Sequence, residues 1–118
     1  MNKNRIKEKN TNLLELTPVR NIQWKKNKEG LILLLKPKVH NQWLAKFILP
    51  RLKNPYYSIR LDEVGTFVWE KCDGQHTVRE LAGHLKDRFG DKVEPVYDRL
   101  ALFLQGLEKS RFIVYQGI

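Results

Sequence analysis

Few side chains in this sequence are of the kinds that do covalent or metal chemistry, and their spacing joins none of them into a working set. Cys72 is the one cysteine, and His40, His76 and His84 are the only histidines. A zinc site needs His, Cys or carboxylate ligands clustered at defined spacings. Cys72 has no CxxC partner, and the histidines lie far apart or on opposite sides of a helix cap. A single cysteine cannot form an intrachain disulfide, and it gives no sign of an oxidising compartment. Its expected place is the last turn of an apolar helix face, as a small buried hydrophobe. Ser58 and Ser110 sit in no nucleophile-elbow pattern, and no glycine-rich phosphate loop is present. Asp62 and Glu63 are adjacent carboxylates at a helix start, where the helix dipole accounts for them. Acid–base work would need carboxylates opposed across a cleft. The reading is a protein without catalytic residues, metal site or cofactor, and not an enzyme.

The elements follow from punctuation and periodicity. Residues 1–14 are basic, polar and without period, and read as a mobile tail. No apolar segment and cleavage site follow the basic start, so a cytoplasmic location is expected. No apolar run approaches the roughly eighteen residues of a membrane helix. Leu16 to Arg20 enters the fold. Ile22 and Trp24 alternate with polar neighbours as a first strand; Asn27-Lys28-Glu29-Gly30 is a hairpin loop with Gly30 free to take positive φ; Leu31 to Lys36 returns, ended by Pro37. In residues 39–53, Trp43, Leu44, Phe47 and Ile48 share a helical face, capped by Asn41 and stopped by Pro50. This face is expected to cover the sheet, with Lys46, Arg51 and Lys53 beside it. The alternative is a surface for an acidic partner or a membrane. Tyr56 to Leu61 follows as a third strand, Tyr57, Ile59 and Leu61 on one side and Tyr56, Ser58 and Arg60 on the other.

Helices fill the rest. Asp62 caps the first, whose stripe is Val64, Phe67, Val68 and Cys72, with Gly74 at its C′ end. Thr77 and Glu80 form a capping box for the second, striped by Val78, Leu81, Ala82, Leu85 and Phe89 and closed by Gly90. The third starts near Glu94-Pro95, with Pro95 suited to its first position. Phe112 to Tyr115 is extended. The fold class is α+β: a small three-stranded antiparallel sheet packed on three helices, with a short helical insert at residues 37–55 between the second and third strands.

The net charge of +9 is uneven. Fourteen Lys/Arg face three glutamates before Leu61, a balance of +11; eight face ten carboxylates from there on, a balance of −2. The last two helices form a helix-turn-helix pattern, and nucleic-acid binding in the winged-helix manner is one reading. The expected reading helix carries Asp98, Gln105 and Glu108 outward, with Arg99 and Lys109 as its only cations. Carboxylates there would be repelled by phosphates, which weighs against nucleic acid. On a wheel of about 100° per residue, the core arc of that helix runs through Val96, Tyr97, Leu100, Leu104 and Leu107. Leu102 falls outside it near Arg99 and Gly106, with Phe103 at the border. An exposed apolar residue beside glycine lines a shallow groove or is one ordinary surface leucine. If the third strand is a free sheet edge, an extended peptide could pair with it. A general protein-interaction module is a further alternative.

Leu61-Asp62-Glu63-Val64-Gly65-Thr66-Phe67-Val68-Trp69, then Cys72-Asp73-Gly74-Gln75-His76-Thr77-Val78, resembles the PqqD family: a Leu-Asp helix start, a Trp-bearing helix, a "DG" turn and a "TV" start to the next helix. Phe103-Leu104, Leu107 and Arg111-Phe112-Ile113 resemble the family's ending. The resemblance is specific from Leu61 to Ile113 and looser from Thr17 to Lys36. It implies a RiPP recognition element, a winged helix-turn-helix-like PqqD-like domain over residues 15–118. Such domains bind the leader of a ribosomal precursor peptide as an added strand and present it to a modifying enzyme, often of the radical-SAM type, as in pyrroloquinoline quinone biosynthesis. Carried across, the peptide-binding residues are Tyr56, Ser58 and Arg60 on the receiving strand and Arg99, Leu102, Phe103 and Gly106 on the facing helix. The link at 37–55 is longer than in proteins of the pyrroloquinoline quinone pathway. The basic first half points to an acidic leader.

Overall fold

The computed structural model describes residues 13–117. The expected tail over 1–14 lies outside the described residues up to position 12, and Leu13–Glu15 form a 3-10 turn. The chain is α+β and divides into two compact units: residues 22–66, and residues up to 21 together with those from 67 onward.

The unit of residues 22–66 is built on a three-stranded antiparallel sheet. Its strands are β2 (Trp24–Lys26), β3 (Ile32–Pro37) and β4 (Tyr56–Arg60), in the order β2-β3-β4. The hairpin between β2 and β3 forms as the sequence indicates. The Asn27 carbonyl accepts from the Gly30 amide at 3.1 Å, and its side-chain oxygen accepts from the Glu29 and Leu31 amides at 3.0 and 2.9 Å. Gly30 takes φ +82°, which a residue with a Cβ adopts only under strain. Ile32 and Leu34 are buried on one side of β3.

Pro37 was expected to end β3 from outside; it is instead the strand's last residue, opposite Tyr56. Leu33 and Leu35 direct their backbone groups toward β2, as the Leu35 amide to the Gln23 carbonyl at 2.9 Å shows. Pro37 shares that parity, and β2 does not extend to it, so its missing N–H costs no ladder bond. At the other end, the Ile32 amide donates to the buried Thr66 hydroxyl at 3.0 Å.

Between β3 and β4 lies α1 (Gln42–Ile48), continued by a 3-10 turn over Leu49–Arg51. Asn41 caps it as expected, its side chain accepting from the Trp43 and Leu44 amides at 2.9 and 3.1 Å. Pro50 does not stop the chain's coiling but sits inside the 3-10 turn, early enough that its absent N–H is not needed. The apolar face does not cover the sheet: Trp43 is 70% exposed, Phe47 56% and Leu44 41%. A spacing of i, i+1, i+4 shows that a stripe exists; it does not say which surface receives it.

Helix α2 (Glu63–Glu70) starts at Asp62, whose carboxylate accepts from the Gly65 amide at 2.7 Å. It ends at Glu70, so Cys72 and Gly74 lie in the turn beyond it, not in its last turn and C′ position. Gly74 is held at φ +79° in a turn, its amide donating to the Pro18 carbonyl at 3.1 Å.

The other unit holds α3 (Val78–Phe89), α4 (Val96–Lys109) and a two-stranded sheet of β1 (Pro18–Arg20) and β5 (Ile113–Tyr115). The strand β1 is absent from the sequence reading, which took residues 16–20 only as an entry segment. Three residues carry no detectable period, and the partner lies at the far end of the sequence, Val19 opposite Val114. The capping box of α3 is present: the Glu80 amide donates to the Thr77 hydroxyl at 3.2 Å and the Thr77 amide to the Glu80 carboxylate at 2.8 Å. Replacing Thr77 with alanine is expected to cost about 1 kcal/mol, read as a lower melting temperature. An unmoved melting curve would show that the cap contributes nothing.

In α4, Val96, Leu100, Leu104 and Leu107 are buried as the wheel indicates, whereas Tyr97, placed in the core arc from sequence, is 51% exposed. The observed stripe is the narrower i, i+4, i+8, i+11 row, and Tyr97 lies about 100° from Val96. Pro95 is the residue before the helix rather than its first member, with ψ 116°, and the Glu94 carboxylate accepts from the Val96 amide at 3.2 Å.

Candidate functional site

The strand β4 is the edge of its sheet. Among the described residues it pairs only with β3, and residues 39–53 add no strand to its other flank. Antiparallel ladders alternate pairs that exchange hydrogen bonds with pairs that do not. The Leu61 amide donates to the Ile32 carbonyl at 2.9 Å, and the Lys38 amide to the Pro55 carbonyl at 3.0 Å. In the observed register this parity makes Tyr57 and Ile59 the residues bonded to β3, opposite Lys36 and Leu34. Tyr56, Ser58 and Arg60 fall at the alternate positions. Their amides and carbonyls therefore point away from β3, toward the open flank.

The same register sorts the side chains. Tyr57 and Ile59 share the side of the buried Leu34, while Tyr56, Ser58 and Arg60 project from the opposite side. Tyr57 is 57% exposed and Ile59 38%, with the Lys38 ammonium 5.3 Å from the Tyr57 ring centre. The three residues singled out from the sequence thus present main chain to the open flank. The apolar side chains beside that main chain belong to Tyr57 and Ile59, which the sequence reading did not include. Their alternation was legible; which parity faces outward depends on register.

The helix residues singled out gather on α4. Leu102 is 70% exposed, Arg99 and Gly106 are exposed, and Phe103 is half-buried. A Cβ at Gly106 would meet nothing within 4 Å, so this side of the helix is open space. Arg99 is anchored, one guanidinium nitrogen donating to the Lys92 carbonyl at 2.6 Å. Asp98 and Glu108 are also exposed on this helix. The strand residues lie in one compact unit and the helix residues in the other.

The chemically capable groups are not among the residues of either surface. Burial pushes the Cys72 thiol up to about 12, so it holds its proton at neutral pH and packs as a hydrophobe. His76 and His84, expected apart, have ring centres 5.3 Å from each other. Side chains on a helix lean toward its N-terminus, which brings His84 back toward the residue before the cap. The His76 ring also meets the Asp73 carboxylate at 3.0 Å. Burial raises the Asp73 carboxyl, but the Gln75 amide and the His76 ring outweigh it and hold the group below its ordinary value. Among the described residues no three His, Cys, Asp or Glu side chains gather as metal ligands. A cleft of about 350 Å³ is lined by Asn21, Glu108, Arg111, Ile113, Val114 and Tyr115, none of them among the residues singled out above.

A family model described as coenzyme PQQ synthesis protein D (PqqD) matches residues 51–113, from just before β4 into β5. No curated protein and no solved structure matches the chain. The matched segment covers more than half of the sequence and contains β4, α2, α3 and α4, and on that ground the chain belongs to the PqqD family, small accessory proteins of PQQ-type biosynthesis.

Proposed function

We propose that this protein is a non-catalytic accessory domain that binds the leader of a ribosomal precursor peptide by strand addition at β4 and presents it to a modifying enzyme of the radical-SAM type. The observation that carries this reading is the open flank of β4, where Tyr56, Ser58 and Arg60 offer main-chain donors and acceptors in a row. An added strand satisfies those groups, and its alternate side chains pack beside Tyr57 and Ile59. The exposed Leu102 of α4, with Arg99, Phe103 and Gly106, is the second surface assigned to the peptide. The order of a small sheet followed by the consecutive helices α3 and α4 supports a winged helix-turn-helix-like recognition element. Exposed Asp98 and Glu108 on α4 favour a peptide over nucleic acid as its ligand.

Amide hydrogen exchange tests the strand directly. With a synthetic leader peptide of a PQQ-type ribosomal precursor as the probe, the amides of Tyr56, Ser58 and Arg60 are expected to slow, while those of Tyr57 and Ile59 are already protected by β3. Unchanged exchange at all three under saturating peptide would overturn strand addition. Leu102→Asp is expected to weaken the same peptide without changing the melting temperature, and an unaltered dissociation constant would remove α4 from the site.

A further inference from the structure

We propose that the segment between β3 and β4 is a peripheral membrane-contact element, which seats Trp43, Leu44 and Phe47 in the interfacial layer of an anionic lipid bilayer. The proposal does not rest on strand addition at β4.

Three observations carry it. The first is burial. Neither α1 nor the 3-10 turn that continues it buries a single residue, although the pair is rich in large apolar side chains. Trp43 and Phe47, one turn apart, meet edge to face with ring centres 5.4 Å apart, and both are more than half exposed. Leu44 extends the same patch. Asn41 fixes the start of this helix through two hydrogen bonds, so the patch is held in shape and does not depend on a partner to fold.

The second is charge. From Gly30 through Leu61 the chain has no carboxylate, whereas Lys36, Lys38, Lys46, Arg51, Lys53 and Arg60 all fall within it. Among the described residues, Lys46, Arg51 and Lys53 form no ion pair. On the helical wheel Lys46 flanks the Trp43–Phe47 row, and Arg51 and Lys53 follow from the next turn. An apolar face with Trp and Phe, bordered by cations alone, is the pattern of helices that lie in the plane of an anionic membrane surface.

The third separates a lipid surface from an acidic protein. Protein interfaces are enriched in arginine and depleted in lysine, and their rims are polar. Here lysine predominates and carboxylates are missing altogether. Tryptophan is also the side chain that settles at the headgroup level of a bilayer. No helix among the described residues is long and apolar enough to cross a membrane, and α1 has only seven residues. The contact is therefore shallow, reversible and dependent on the attraction between the lysines and the headgroups.

The test is co-sedimentation of the full chain with two kinds of vesicle: phosphatidylcholine alone, and phosphatidylcholine with about a third phosphatidylglycerol. The expected result is binding to the anionic vesicles only, weakened by salt. Binding should fall about tenfold or more in the double variant Trp43→Ser/Phe47→Ser, with an unchanged melting temperature. Lys46→Glu/Lys53→Glu should lose binding comparably, and decides the matter should the first pair unfold. Vesicles brominated along the acyl chains should quench the emission of Trp43, the quenching disappearing in Trp43→Phe. Equal binding to both vesicle types, full binding by the double variants, or a salt-resistant dimer through this face without lipid binding would each overturn the proposal. So would displacement by duplex DNA that leaves Trp43 unquenched throughout, since that marks attraction by charge alone.

Discussion

Ser58→Pro is expected to weaken precursor-peptide binding about tenfold or more while the protein stays folded; Ile59→Pro, one residue away, is expected to disrupt the sheet itself. The difference follows from ladder parity. The Ser58 amide faces the open flank of β4, so a proline there removes a donor that no other described residue pairs with in the sheet. The guest strand loses one main-chain bond, worth a net ~0.5–1.5 kcal/mol, and also meets the proline ring where its own backbone would approach. A loss near 1.4 kcal/mol is about tenfold in affinity. The Ile59 amide is directed at β3 opposite Leu34, inside the ladder, where proline removes a bond the sheet depends on. Calorimetric titration of the precursor peptide and circular dichroism measure the two effects separately. Full binding by Ser58→Pro would mean that the peptide does not pair with β4; a folded Ile59→Pro would mean that the register is wrong.

The largest loss of stability is expected at Leu104. It is 0% exposed in α4, and its truncation to alanine should cost about 2–5 kcal/mol, through lost burial and the cavity left behind. That is a large share of the ~5–15 kcal/mol typical of a small domain. Leu102, two residues earlier on the same helix, is 70% exposed, and its truncation should change stability by no more than about 0.5 kcal/mol. Urea denaturation of the two alanine variants reads the contrast. Equal costs would mean that Leu102 is part of the core and not a candidate contact for a peptide. If instead Leu102→Ala is stable but binds peptide poorly, the side chain serves recognition and not folding.

The difference between these leucines was legible in the amino-acid order, because an α-helix repeats about every 3.6 residues and the row through Val96, Leu100, Leu104 and Leu107 leaves Leu102 outside it. Tyr97 was misplaced by the same reasoning. A wheel ranks positions by angle, and a bulky residue at the border of the arc is decided by the surface it meets. The hairpin at Asn27–Gly30, the Asp62, Asn41 and Thr77 caps and the extent of α3 were equally legible, since each is fixed by hydrogen bonds between residues no more than four positions apart.

Contacts between distant residues were not legible in that way. The pairing of β1 with β5 joins three-residue segments from opposite ends of the sequence, too short to show a period. Periodicity identified the apolar stripe of α1 but not its exposure, because a stripe carries no information about what lies against it. The sequence by itself determined the α+β composition, the capped helix starts at Asn41, Asp62 and Thr77, and the concentration of positive charge before Leu61, all of which depend on residue type and short spacings. Only the tertiary structure decided that β4 is an edge, that Tyr56, Ser58 and Arg60 turn their backbone outward, and that Trp43 and Phe47 stand exposed. Those properties depend on register and on neighbours far along the chain, and a shift of one residue in register would exchange inward for outward at every position of the strand.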